Sequence, residues 1–210
     1  ALTKVHATEY NDVITSVGVK NSSGGDLNQG LDIWQDFRLT ATFQLPDNKV
    51  HEGDTTTLRL PSEIAFSNSS NIELRDGSGN LVATGQLDAA NKTITIRYTN
   101  YVENKSGVRG EFFVYVRVDH SVVSQEKNID VKVTVGSKVL VAGRVRYNGP
   151  PKRYDSKIEK SSFQQAGDPD NVIRYNITVN RNMANYSNVT ITDKFTSPNI
   201  ISNTFLSAIL

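Results

Sequence analysis

Strict two-residue alternation is the feature that most limits what this chain can fold into. In residues 37–43, apolar Phe37, Leu39, Ala41 and Phe43 alternate with Arg38, Thr40 and Thr42. Successive side chains of a strand point to opposite faces, so this pattern buries one side and wets the other only as a β-strand. It recurs at residues 56–60, 72–74, 92–98, 111–118 and 129–135, with Phe112, Val114, Val116 and Val118 against one face and Asp130, Lys132 and Thr134 directed outward. Between these runs lie Pro46-Asp47-Asn48, Glu52-Gly53-Asp54, Asp76-Gly77-Ser78-Gly79-Asn80 and Gly136-Ser137, residues that supply the left-handed or side-chain-bonded conformations of tight turns. The expectation is an all-β chain whose first part forms an antiparallel sandwich of about nine strands. A closing strand over 138–147 is broken at Ala142-Gly143, and Asn148-Gly149-Pro150-Pro151 then stops regular pairing. This predicts a first domain over 1–147, a linker over 148–156 and a second domain over 157–210 with strands at 157–163, 172–180 and 188–194. Three strands rarely stand alone, so the second domain reads as the first part of an incomplete sandwich.

Composition excludes several functions. Lys and Arg total 23 against 22 Asp and Glu, a formal charge of +1, and no stretch gathers basic residues enough to neutralise a nucleic-acid backbone. No apolar run approaches the roughly 18 residues of a membrane-spanning helix, so no membrane insertion is expected. With no signal peptide ahead of Ala1, the chain reads as a mature or excised piece. The absence of Cys removes disulfides, thiolate zinc sites and thiol nucleophiles. Several Asn-x-Ser/Thr triplets occur, but those at Asn91, Asn176 and Asn188 adjoin or lie within strands, where a glycan would be awkward. Together these points favour an extracellular bacterial origin.

No enzymatic constellation emerges. His6, His51 and His120 lie far apart without ligand-like or hydrolase-like spacing. Asp168-Pro169-Asp170-Asn171 lacks the register of a calcium loop and reads as a turn, and Ser23-Gly24-Gly25 lacks the Lys-Ser/Thr of a phosphate cradle. No metal, cofactor or enzyme activity is expected.

Four segments taken in order, Leu31-Asp32-Ile33-Trp34, Phe43-Gln44-Leu45-Pro46, Gly53-Asp54-Thr55 with Leu58-Arg59-Leu60-Pro61, and residues 93–102, carry a further signal. Over about residues 10–200 the chain resembles the staphylococcal and streptococcal matrix-binding surface adhesins, the Gram-positive family of collagen- and fibrinogen-binding proteins with paired immunoglobulin-like domains. The resemblance implies DEv-IgG-type β-sandwiches on the outside of the bacterial cell wall. It further implies a monomer that clasps an extended host matrix or plasma protein, collagen first and fibrinogen second, between two domains. The alternative is a stalk or pilin-like module without a ligand of its own. Taken singly, each segment reads as plain architecture, with Trp34 a core anchor and Tyr101 a core or edge aromatic.

Three groups of site residues follow from the resemblance. Residues 93–102 resemble the strand and turn that line a latching trench, making Thr95, Arg97, Thr99 and Tyr101 its candidate lining, although Arg97 and Asn100 replace the usual aromatic and Asp. Related domains join a first-strand Lys to a late Asn through an intramolecular amide, assisted by a buried carboxylic acid. Burial favours the neutral amine and the protonated acid that this condensation needs. Lys160 and Asp193 fit the first and third roles, with Lys157 replacing Lys160 if the register slips by one, and the Asn would fall in a later strand. Collagen-binding relatives lay their ligand across a sheet face and under the linker. Arg174, Asn176, Thr178 and Asn180 form the polar side of a strand whose other side is Ile173, Tyr175, Ile177 and Val179, and Tyr147 and Tyr154 flank the linker, so these six are the ligand-binding candidates.

Overall fold

The computed structural model describes residues 6–151, 156–181 and 184–194. The chain divides into two compact units, Ala1–Pro151 and Lys152–Leu210.

The first unit contains ten strands: β1 (Ile14–Asn21), β2 (Phe37–Gln44), β3 (Thr55–Arg59), β4 (Ile64–Phe66), β5 (Ile72–Asp76), β6 (Leu81–Asp88), β7 (Thr93–Tyr98), β8 (Arg109–Val118), β9 (Lys127–Val135) and β10 (Lys138–Tyr147). A single 3₁₀ turn, Asn100–Val102, follows β7. Every strand pairing is antiparallel, along the path β1-β2-β8-β5-β6-β7-β3-β9-β10, with β4 added to β8. The path curls back on itself around one core.

Alternation decides which residues fill that core. Phe37, Leu39, Ala41 and Phe43 of β2 meet Phe112, Val114, Val116 and Val118 of β8, and Ile129, Val131, Val133 and Val135 of β9 close the opposite side, all under 10% exposed. Burying so many β-branched and aromatic side chains, each contributing roughly 1.5–3 kcal/mol, is what holds the unit together.

Three strands were not distinct in the sequence. β1 and β4 bury one face incompletely or span only three residues. In β6 the alternation is blurred by Ala83 and Gly85, and Gly85 is required because a Cβ there would lie 2.5 Å from Ile72 Cγ1. The expected interruption at Ala142-Gly143 is a β-bulge between Val141 and Gly143; Gly143 takes φ 144° and passes close to Val19 of β1.

The second unit has an antiparallel hairpin, β11 (Ile158–Phe163) and β12 (Arg174–Val179), with Lys160 opposite Ile177 and Ser161 opposite Asn176. Here the expected burial of one side does not occur. Ile173, Tyr175 and Val179 are 56%, 37% and 38% exposed. Two strands offer too little surface to cover either face.

Candidate functional site

Chemistry-bearing residues gather in three places, one around β7, one at the end of β10 and one on the hairpin. Around β7, Thr95 and Arg97 point outward and, with Asn71, Thr84, Gly85 and Gln86, line a shallow polar groove of about 120 Å³. Arg97 Nη1 donates to the Gly53 carbonyl at 3.3 Å. Thr99 does not face this groove: its hydroxyl donates to the carbonyls of Leu81 at 2.7 Å and Val82 at 3.1 Å. Tyr101, on the 3₁₀ turn, donates its hydroxyl to Asp76 at 2.8 Å and accepts from Asn80. Asn80, Tyr101 and the Ser78 amide together hold the Asp76 carboxyl down at about 2, while the bond to Asp76 raises the Tyr101 phenol. Neither edge of β7 is open. β3 pairs along one side from Thr55↔Arg97 to Arg59↔Thr93, and β6 along the other from Ala83↔Tyr98 to Asp88↔Thr93. A strand could add beside β7 only by displacing one of them.

The end of β10 corrects two expectations. Tyr147 is fully buried, so its ring belongs to the core and not to a ligand surface, and its hydroxyl has no hydrogen-bond partner among the described residues. It is buried there because Leu31 bridges to it, the Leu31 amide donating to Arg146 and its carbonyl accepting from the Asn148 amide. Trp34 is the converse. It is 56% exposed instead of anchoring the core, because the loop that buries Leu31 turns at Trp34 with φ 66° and sends the indole outward. Tyr154 lies outside the described residues.

On the hairpin, the structure brings Lys160 and Asp193 together, Nζ to Oδ1 at 2.7 Å. The register puts Lys160 on the face of Ile177 and Tyr175, with Nζ 4.4 Å above the Tyr175 ring, whereas Lys157 precedes the strand. The two side chains are 35% and 29% exposed, so this is an ion pair at a half-open surface. Among the ligand-binding candidates, Arg174 is occupied: its Nε and Nη2 form a bidentate pair with Asp168, both at 2.7 Å. Asp168 is held down at about 2 by that guanidinium and by the Gln165 amide. The turn that contains Asp168 therefore serves as the arginine's anchor. Asn180 closes the hairpin with φ 59°, its amide donating to Lys157 and its side-chain oxygen accepting from Ala184. Asn176 and Thr178 are exposed side by side on the strand.

Comparison with known proteins bears on these features. The family model for a bacterial Ig domain matches residues 30–128. The serine-aspartate repeat-containing protein E of Staphylococcus aureus (strain MSSA476) is 30% identical over 188 residues, 84% of this chain and 16% of that protein. The bone sialoprotein-binding protein of Staphylococcus aureus (strain MRSA252) is 26% identical over 202 residues, 90% of this chain and 17% of that protein. The chain thus spans less than a fifth of the length of either relative. A serine-rich repeat protein of Streptococcus agalactiae superposes with a TM-score of 0.57 at 16% identity, over 84% of this chain and 58% of that one, a likeness of fold.

Proposed function

We propose that this chain, which the bacterial Ig domain model matches over residues 30–128 and which is homologous to the staphylococcal serine-aspartate repeat and bone sialoprotein-binding proteins, is an adhesin region that binds a host matrix or plasma protein at the bacterial cell wall. The observation that carries this reading is the reach of the homology: 202 aligned residues extend past Pro151 and so include both units. A relative named for binding bone sialoprotein is matched over 90% of this chain, which takes in residues of both units.

Collagen and fibrinogen remain the first two candidate ligands, and the relative's name adds bone sialoprotein. The second unit is read as the beginning of a second Ig-like domain, because its hairpin leaves apolar side chains on the surface that further strands of such a domain would cover. Asn176 and Thr178 supply amide and hydroxyl partners for an extended polypeptide, and Arg174 is preset by Asp168 to present a fixed guanidinium edge. Lys160 and Asp193 are the nucleophile and the assisting acid of an intramolecular amide whose Asn comes from a later strand. In such a bond Nζ attacks the Asn side-chain carbonyl carbon and ammonia leaves.

Binding to immobilised collagens, fibrinogen and bone sialoprotein tests the proposal, using the two-unit protein with its second domain extended and the first unit alone as control. Saturable binding that requires both units, and that weakens when Asn176 and Thr178 become Ala, supports it. No binding to any of the three by folded protein would sink it in favour of a stalk module. Intact mass reports separately on the amide, through loss of one ammonia that Lys160→Ala abolishes.

A further inference from the structure

The outer face of β2 and β8 carries a line of aromatic and cationic side chains that none of the roles above uses. Inward-facing residues of these strands build the core, so Arg38, Phe113, Tyr115 and Arg117 all emerge on the opposite side. Phe113, Tyr115 and Arg117 follow one another at about 6.6 Å, the spacing of alternate residues in a strand. Phe113 and Tyr115 meet edge to face with centroids 5.4 Å apart. Arg38, opposite Tyr115 in the register, lies 4.0 Å over the Phe113 ring and 5.6 Å from that of Tyr115. Arg117 lies 4.7 Å over the Trp34 ring, which also meets His120 at 4.3 Å. Aromatic and cationic groups thus interleave along the whole face.

Two observations separate this stripe from ordinary surface. Trp34 holds a left-handed backbone at φ 66°, a costly conformation for a bulky residue, yet its ring stays 56% exposed and so gives little to the core in return. The loop is nevertheless fixed, by the buried Leu31 and by reciprocal bonds between Asp32 and Gln35. Secondly, among the described residues neither Arg38 nor Arg117 is ion-paired; Arg38 donates only to neutral groups, from Nε to the Ser22 carbonyl at 3.1 Å and from Nη2 to the Tyr115 hydroxyl at 3.4 Å. Of the nearby acids, Asp36 accepts from the Ser67 hydroxyl and Glu111 is the next outward residue of β8 before Phe113, and neither pairs with an arginine of the stripe. Arg38 and Arg117 are therefore the cationic groups of the stripe that carry no ion-pair partner.

We propose that this face is a binding site for an acidic polysaccharide, with Trp34 stacking on the sugar rings and Arg38 and Arg117 pairing with their carboxylate or sulfate groups. Main-chain recognition of a peptide has little room here, because β2 takes one edge of β8 and β5 and β4 take the two ends of the other, leaving only residues 112–115 between them, where the Tyr115 carbonyl already accepts from Ser67. What remains is side-chain chemistry: flat π surfaces for the apolar faces of pyranose rings and planar guanidinium forks for anions.

Trp34 is the only tryptophan of the chain, so its emission reports on the site directly. Titration of the intact protein at physiological ionic strength with heparin and with hyaluronan should give a saturable change in that emission with at least one of them, and neutral dextran none. Heparin alone would identify sulfate as the anion, and hyaluronan would show that carboxylate suffices. The Arg38→Gln/Arg117→Gln double variant, which keeps the reporter, should bind at least tenfold more weakly, and Trp34→Ala should no longer be retained on the immobilised polysaccharide. Lys132→Gln, on the outer face of β9, should bind as the parent does. An unmoved emission with both polyanions, an equal loss with Lys132→Gln, or a response to collagen peptide in place of polysaccharide would overturn the proposal. If Trp34→Ala fails to fold, the arginine pair decides.

Discussion

Replacing Tyr147 by Phe should stabilise the first unit. The side chain is fully buried and its hydroxyl finds no hydrogen-bond partner among the described residues, so folding removes that group from water with no bond in return. An unsatisfied buried hydroxyl costs about 1–3 kcal/mol. Phe keeps the ring and its packing, and the void of one oxygen atom, at ~24 cal/mol per Å³, subtracts only a few tenths of a kcal/mol. The expected net gain is about 1–2 kcal/mol, which for a unit of this size raises the midpoint by roughly 2–8 °C. Tyr98→Phe is the internal control with the opposite sign. Tyr98 is equally buried, but its hydroxyl shares a 2.7 Å hydrogen bond with that of Thr56. Removing it should cost about 1 kcal/mol, near the lower end because Thr56 still donates to the Tyr10 carbonyl. Urea unfolding followed by Trp34 emission reads the first unit for both variants, provided that the denaturant slope is unchanged. If Tyr147→Phe proves less stable than the parent by a kilocalorie or more, the hydroxyl is bonded after all, and the account of this corner of the core is wrong.

Gly110→Ala should destabilise the first unit by about 2 kcal/mol or more, since its Cβ would stand 2.4 Å from the Arg75 carbonyl oxygen and 2.8 Å from the Phe43 ring, neither of which can yield cheaply. Gly77→Ala, with nothing within 4 Å, should change the urea midpoint negligibly. Asp76 titrates at about 2 in the folded protein against an ordinary 3.8, so it favours folding fully above the higher value and loses that contribution as pH falls through the lower one. Asp76→Asn should therefore flatten the decline of stability across that acid window, measured by thermal unfolding at stepped pH, and an unchanged slope would contradict the assignment.

Alternation was legible wherever a strand faces core on one side and water on the other, as in β2, β8 and β9. It failed where that asymmetry is missing. β6 carries Gly85 for steric clearance, β4 spans three residues, and the hairpin of the second unit buries neither side. The Lys160–Asp193 contact was legible through the family resemblance and not through alternation: Lys160 lies on β11, but residues 188–194, expected as a strand, form none, so no two-residue period fixes the side of Asp193. No such rule governs the segments between strands. Trp34 and Tyr147 were therefore the residues most easily misplaced: a single left-handed backbone turned the first outward, and a bridge from a residue 116 positions away in sequence, Leu31 to Tyr147, buried the second. The Trp34 conformation has no sequence signature, since left-handed positions normally announce themselves through Gly or Asn.

The same geometry changes where an additional strand could join the first unit. Along β7 both sets of main-chain groups are already bonded, and β3, its weaker flank, pairs with β9 only at Leu58 and Arg59 while Thr55 is tied instead to the segment around Glu9. Displacing β3 would break five residue pairings with β7 and uncover Leu58, which is 1% exposed. Replacing those ladder bonds with those of an incoming strand recovers hydrogen bonding but not the buried leucine, whose exposure costs roughly 2 kcal/mol on its own. The two ends of the sheet path, β1 and β10, require no displacement, and Val139 and Val141 of β10 stand 55% and 62% exposed at the second of them. β1 lies beside β10 around Gly143 and Leu31 bridges its end at Tyr147, so among the described residues only the first part of β10, ahead of the bulge, is left as an edge for main-chain pairing.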